Sequence, residues 1–264
     1  MKKLAISVSL LVGLCANTIV SGTEKPFFVV PKAALGTTSW KLSADFGVPG
    51  EKQTFNYDFQ MVEFAMTGGY RRFYLSVNYE QSVNDRSKAV LNDDGTVSEI
   101  TWRRADYGVT VGYNVWRGLS LFGGYKRGYS NGHSVGLRDT GGGVYDLDSY
   151  DTRFSEIGPF FGLSYDYPVG QYGVVGATAA YALFDGAWKA KNAVGNRFEL
   201  DGDTTGFSYG LTWSGQFSET AYYSIGVKRT DYTLYVVIPT KEELGDVAWK
   251  ERYNIFKVSL SKEF

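Results

Sequence analysis

The 264-residue chain sets 27 lysines and arginines against 28 aspartates and glutamates, so it has no basic footprint for nucleic acid. Beyond residue 22 no apolar run reaches the length of a transmembrane helix, and 32 glycines break any helical periodicity. A single cysteine, Cys15, excludes a disulfide within the chain.

The chain opens as a secretory signal. Lys2 and Lys3 form a basic start, Leu4 to Leu14 an apolar run too short to span a bilayer, and Val20-Ser21-Gly22 a small-residue cleavage site. Residues 1–22 are therefore expected to be removed, and residues 23–264 to form one all-β domain. Cys15 leaves with the signal; Leu14 before it is too large for a lipobox.

After a lead from Thr23 to Lys32, short stretches alternate apolar and polar residues with the two-residue period of a strand. Their apolar faces are expected to point outward. They run Trp40, Leu42, Ala44, Phe46; Val62, Phe64, Met66; Phe73, Leu75, Val77, Tyr79; Tyr107, Val109, Val111, Tyr113; and Leu119, Leu121, Gly123, Tyr125. There follow Ile157, Pro159, Phe161, Leu163, Tyr165; Val175, Ala177, Ala179, Tyr181, Leu183; Phe207, Tyr209, Leu211, Trp213; Tyr223, Ile225, Val227; and Phe256, Val258, Leu260, Phe264. Tight connections are expected around Gly68-Gly69, Arg117-Gly118, Val169-Gly170 and Gly215-Gln216. The alternate connections run to roughly 12–25 residues, beyond common loop lengths.

Short turns on one side, long loops on the other and aromatics at strand ends describe a transmembrane up-and-down antiparallel β-barrel of about ten strands, eight or twelve being the alternatives. In a bilayer every backbone N–H and C=O needs a partner, so the sheet must close. Two segments strain the pattern. Pro159 lacks a ladder donor and predicts a bulge, and the apolar Tyr232 to Ile238 either continues its strand above the membrane or folds over the mouth.

The pattern, the segment Ala105-Asp106-Tyr107-Gly108-Val109-Thr110-Val111-Gly112-Tyr113 and the ending Phe256-Lys257-Val258-Ser259-Leu260-Ser261-Lys262-Glu263-Phe264 resemble the small outer-membrane β-barrel proteins of Gram-negative bacteria, in the broad OmpA/OmpW-like sense. The resemblance implies an outer-membrane location, outer-membrane lipid as surroundings, and Phe264 as the assembly signal read by the barrel-assembly machinery. Lys262 departs from the usual apolar or aromatic residue there and is expected to snorkel.

Several residues carry candidate chemistry. Arg103, Arg127, Arg153, Arg229 and Arg252 are expected outward at the loop-side ends of their strands, a collar able to meet lipopolysaccharide phosphates with guanidinium forks. Inward charges are mixed: Lys41, Arg104, Lys126, Lys228 and Lys257 against Asp45, Glu63, Glu80, Asp106, Glu156 and Asp166. Near balance predicts cross-lumen ion pairs in a largely filled barrel, whereas an ion-selective pore has a biased ring.

The only histidine, His133, falls in a stretch that reads as a solvated Gly/Ser-rich loop, with no partner acid evident; the chain is expected not to be an enzyme. Asp139, Asp146, Asp148 and Asp151 match no EF-hand spacing, and no cofactor or metal is implied. The expected protein is thus a monomeric, largely occluded barrel with a structural or surface-interaction role through its outer loops. The alternative is a narrow porin-like channel, and catalysis at His133 is the remaining possibility.

Overall fold

The computed structural model describes residues 6–11, 14–20, 27–45, 52–83, 86–91, 97–139, 145–192, 194–236 and 247–264. The expected signal forms a separate pairing of Ile6–Leu11 with Leu14–Val20, outside the barrel's hydrogen-bonded sheet but lying against the strands Tyr145–Pro168 and Val174–Asn192, and Ser21-Gly22 of the cleavage site lies outside the described residues.

Ten antiparallel strands form the barrel: β1 (Phe27–Asp45), β2 (Lys52–Tyr70), β3 (Phe73–Ser82), β4 (Val97–Trp116), β5 (Leu119–Asp139), β6 (Tyr145–Pro168), β7 (Val174–Asn192), β8 (Arg197–Gln216), β9 (Ala221–Val236) and β10 (Val247–Lys262). Each pairs with its neighbour in sequence, and β10 pairs with β1 to close the ring. A short strand, Arg86–Leu91, continues β3 upward along β4. The ends of the chain are tied together where Phe264 N donates to Val29 O at 3.0 Å and Val29 N donates to Phe264 O at 3.4 Å. Beside this closure the Lys262 ammonium lies 4.9 Å from the Phe264 ring centre.

The short turns sit on the side of the termini. Arg71-Arg72 links β2 to β3 with Arg71 at φ 54°, two residues beyond the expected glycine pair. Gly68 and Gly69 stay in the strand, where Gly69 leaves room for the ring of Phe28. Arg117-Gly118 turns at Gly118 with φ 77°, a conformation glycine adopts without steric cost.

On the other side much of what the sequence reads as long loop is strand. β4 to β8 run 19 to 24 residues, about twice what the hydrocarbon core requires. Pro159 produces no bulge. Its pairing with Tyr125 is regular, and Phe160↔Ala182 and Ile157↔Asp185 keep one register with β7 across a two-pair interruption. An outward residue can lose its donor while both neighbouring ladders hold it in register. Residues 232–236 complete β9; Ile238 lies outside the described residues.

Two zones divide the barrel. In the half nearer the turns the outward side chains are apolar and exposed: Leu35, Phe64, Leu75, Val111, Leu121 and Phe161, among others. A continuous outward apolar belt around a closed barrel is the surface that lipid covers in transmembrane barrels. In the half above it the polarity inverts. Lys41, Asp58, Arg103, Arg153, Lys189 and Arg252 face outward and exposed, while Trp40, Leu42, Tyr57, Phe59, Trp102, Phe154, Leu234, Trp249 and Tyr253 are buried inside.

This inversion corrects two expectations. Trp40 and Leu42 point inward, with Trp40 wholly buried, and Lys41 is an exposed outward residue rather than a lumen charge. The first strand begins at Phe27, so its lipid-facing residues are Phe27, Val29, Ala33 and Leu35, and residues 40–42 stand above the membrane. There water is outside and the dry side is the interior, so the apolar face turns in.

Candidate functional site

Strand alternation delivers two kinds of side chain to the lumen. In the belt half, Lys32 Nζ lies 2.8 Å from Glu63, and Lys257 Nζ lies 2.7 Å from Glu63 and 2.6 Å from Glu80, all four buried. These residues come from β1, β2, β3 and β10, so the cluster bridges four adjacent strands with two charges of each sign.

Around them inward glycines are covered by rings from the adjacent strand. Tyr74 lies over Gly112, Phe160 over Gly124 and Phe122 over Gly162. The small inward residues therefore seat aromatic side chains instead of leaving a gap. Asp166 is buried near the turns, and Tyr222 donates to the Glu263 carboxylate at 3.3 Å.

A second cluster lies just above the belt, centred on Arg104. Its guanidinium grips Asp106 in a bidentate pair at 2.8 and 2.9 Å and donates to Ser130 at 3.0 Å and Tyr253 Oη at 2.6 Å. Glu156 lies 3.5 Å away, and Lys126 pairs with Asp106 at 3.0 Å. Glu251 accepts from Trp40 Nε1 and Tyr253 Oη, both at 3.0 Å. Burial first, and then the neighbouring Glu156 carboxylate, pushes the Glu251 carboxyl well above the usual carboxylate range.

Trp40 is 5.1 Å from Trp102 edge-on and 5.8 Å from Tyr57, and Trp188 meets Trp249 at 4.0 Å, so aromatic packing fills the interior above the cluster. A cavity of about 30 Å³ beside Arg104, Lys126 and Lys228 has room for a water or two. Lys32, Glu251 and Glu263 are lumen charges absent from the sequence reading; Lys32 was hidden in the lead segment that proves to be β1. Asp45 lies at the upper end of β1.

The outer wall carries the other candidate. Register aligns two rows across five strands: Thr101, His133, Asp151, Lys191 and Arg197, and below them Arg103, Asn131, Arg153, Lys189 and Glu199. Together they line an open cleft of about 830 Å³. His133 sits within β5, not in a loop, and its Nδ1 is 2.7 Å from Asp151 Oδ1 on the adjacent strand. Lys189 pairs with Glu199, and the Arg153 guanidinium lies 4.9 Å from the Tyr129 ring centre.

The five outward arginines therefore divide. Arg103 and Arg153 converge on the cleft, and Arg127 stands beside Tyr107 at the belt's edge. Arg229 and Arg252 both grip Asp231, at 2.8 and 2.7 Å. Burial opposes its ionisation, but these two hydrogen-bonded guanidiniums hold the Asp231 carboxyl below the usual carboxylate range. Asp139, Asp146 and Asp148 lie on β5 and β6 at their far ends, Asp139 and Asp146 near the 140–144 connection outside the described residues. Among the described residues no cluster of three metal-ligating side chains occurs.

No family model matches this sequence, and no curated protein matches it either. Among solved structures, the outer membrane protease OmpT from Escherichia coli aligns over 91% of this chain and 98% of its own, with TM-score 0.66 and 11% identity. The translocator domain of the autotransporter NalP from Neisseria meningitidis aligns over 92% and 90% at TM-score 0.45 and 13% identity. The Pseudomonas putida toluene transporter TodX aligns over 92% and 91% at TM-score 0.40 and 10% identity. The first likeness shows the fold, a closed ten-stranded barrel of the outer-membrane kind. It also overturns the expectation that the chain is not an enzyme, because a barrel of this architecture is a protease. His133 is exposed, as expected, but it is strand-borne rather than in a loop and is bonded to a carboxylate.

Proposed function

We propose that the protein is an integral outer-membrane β-barrel, in the broad OmpA/OmpW-like sense, exported on residues 1–22 and monomeric, with a closed lumen and a role played by the wall and loops outside the cell. The observation that carries this reading is the filled interior. Two buried clusters of paired charges sit one above the other, capped by the packing of Trp40, Tyr57, Phe59 and Trp102. The inverted polarity of the upper half supports it too, since a wall that is wet outside and dry inside presents its chemistry to the surroundings rather than to a pore.

Planar bilayers test the closed lumen. The unmodified protein is expected to give no discrete conductance steps, and Trp40→Ala combined with Trp102→Ala is expected to introduce them by thinning the plug. Reproducible steps from the unmodified protein would instead support a narrow channel. That second reading draws on the inward hydroxyls Thr110, Ser164, Thr178 and Thr212, which offer a polar path through the belt half.

Assembly is the role proposed for Phe264. Its two backbone hydrogen bonds to Val29 close the barrel at the turn side. Deleting it is expected to cut the amount of heat-modifiable, membrane-assembled protein several-fold in cells, while the same variant refolds from denaturant into detergent with a small loss.

A further inference from the structure

We infer that Thr101, His133 and Asp151 on the outer wall form an acyl-transfer triad that hydrolyses carboxylic esters bearing a negative charge. The inference goes beyond the structural role proposed above.

Strand register brings the three residues together. Thr101 on β4 stands directly opposite His133 on β5, and His133 directly opposite Asp151 on β6. All three side chains face outward into the cleft of about 830 Å³. Asp151 Oδ1 lies 2.7 Å from His133 Nδ1, which makes that nitrogen the protonated one and leaves Nε2 as the base. The two ring nitrogens face different ways, so Nε2 turns from β6 toward the side on which β4 carries Thr101. Opposed residues of an antiparallel pair have Cβ atoms about 5 Å apart, a span across which an imidazole reaches a hydroxyl. One row below, two residues along the same strands, Arg103 and Asn131 offer N–H donors to an oxyanion.

The reaction follows from these roles. Thr101 Oγ1 attacks the acyl carbon and gives its proton to His133 Nε2. The bond from the acyl carbon to the ester oxygen breaks, and the imidazolium returns that proton to the departing alkoxide. Water then attacks the Thr101 ester, passing its proton to Nε2, which hands it back to Oγ1 as the acid leaves.

Charge and position define the substrate. The cleft sets Arg103, Arg153, Lys189, Lys191 and Arg197 against Asp151 and Glu199, an excess of three positive charges that favours an anion. It is open to water, which suits an ester better than the less reactive amide. The row of Thr101 stands six residues above Tyr107 on β4, about 20 Å along the strand and roughly 15 Å in height once strand tilt is allowed for. Acyl esters of embedded lipid lie at the edge of the hydrocarbon, below this row, so the substrate arrives from the water.

Hydrolysis by the full protein folded in detergent tests this independently of any conductance result. The probes are mono-4-nitrophenyl adipate and the uncharged 4-nitrophenyl hexanoate, of equal chain length, with nitrophenolate release and the mass of the acylated peptide as readings. The unmodified protein is expected to turn over the adipate ester at least tenfold faster than the hexanoate and to carry the adipyl group on Thr101. Thr101→Val and His133→Gln are each expected to lower kcat by about a hundredfold or more, and Asp151→Asn to lower kcat with little change in KM. K191Q/R197Q is expected to lose most of the preference for the charged ester. Heat-modifiable migration on gels confirms that the variants are folded. Release no faster than in buffer, turnover by Thr101→Val within threefold of the unmodified protein, or an adipyl group on another residue would overturn the inference. Equal turnover of the two esters would overturn the assigned substrate class.

Discussion

Arg104→Ala is expected to destabilise the barrel by about 3–5 kcal/mol, the usual cost of removing one partner from a buried ion network. The guanidinium is buried and meets Asp106, Glu156, Ser130 and the Tyr253 hydroxyl; its carbon lies 4.4 Å from the centre of the Tyr253 ring. Alanine would leave Lys126 alone against two buried carboxylates. In a chain of this size that loss corresponds to a fall on the order of 10 °C in the temperature at which the folded gel band disappears. Glu251→Gln is the contrasting variant. Burial and the neighbouring Glu156 both favour its protonated form, so an isosteric amide should shift the same temperature by no more than a degree or two. An equal fall for the two variants would mean that Glu251 carries a charge the network depends on.

The second large effect is expected at Lys257, whose ammonium is shared between Glu63 and Glu80. Lys257→Met keeps an unbranched apolar side chain one atom shorter but leaves Lys32 as the only cation in the cluster beside two buried carboxylates. About 3–5 kcal/mol is again the expected loss. The double variant Lys257→Met/Glu80→Gln restores charge balance and should recover more than half of it. Recovery of this kind is the signature of coupled neighbours, measured as a non-additive cycle. Urea titration of barrels folded into lipid vesicles provides the reading.

His133 shows why part of the outer site was not legible in the chain. Glycine and serine at 130, 132 and 134 read as a flexible loop, yet Ser130 is buried against Arg104 and Gly132 makes room for the ring of Trp102. The signal was present as alternation, since Asn131 and His133 face out while Ser130 and Gly132 face in. Asp151 is eighteen positions away, and only the register of β5 against β6 sets it opposite the imidazole. The two rows of the cleft likewise combine residues from five strands, and no local spacing announces them.

What the chain alone determined is the material of the barrel: strands with one apolar face, tight turns on one side, closure demanded by the bilayer, and a lipid-facing belt whose residues are named correctly in nine strands out of ten. What only the tertiary structure decided is which way each face points above the belt, and which charges meet across the ring. A two-residue period tells which side chains share a face but carries no sign. The sign is set by where the solvent changes from hydrocarbon to water, so Trp40 turns inward and Lys41 outward once β1 is found to begin at Phe27.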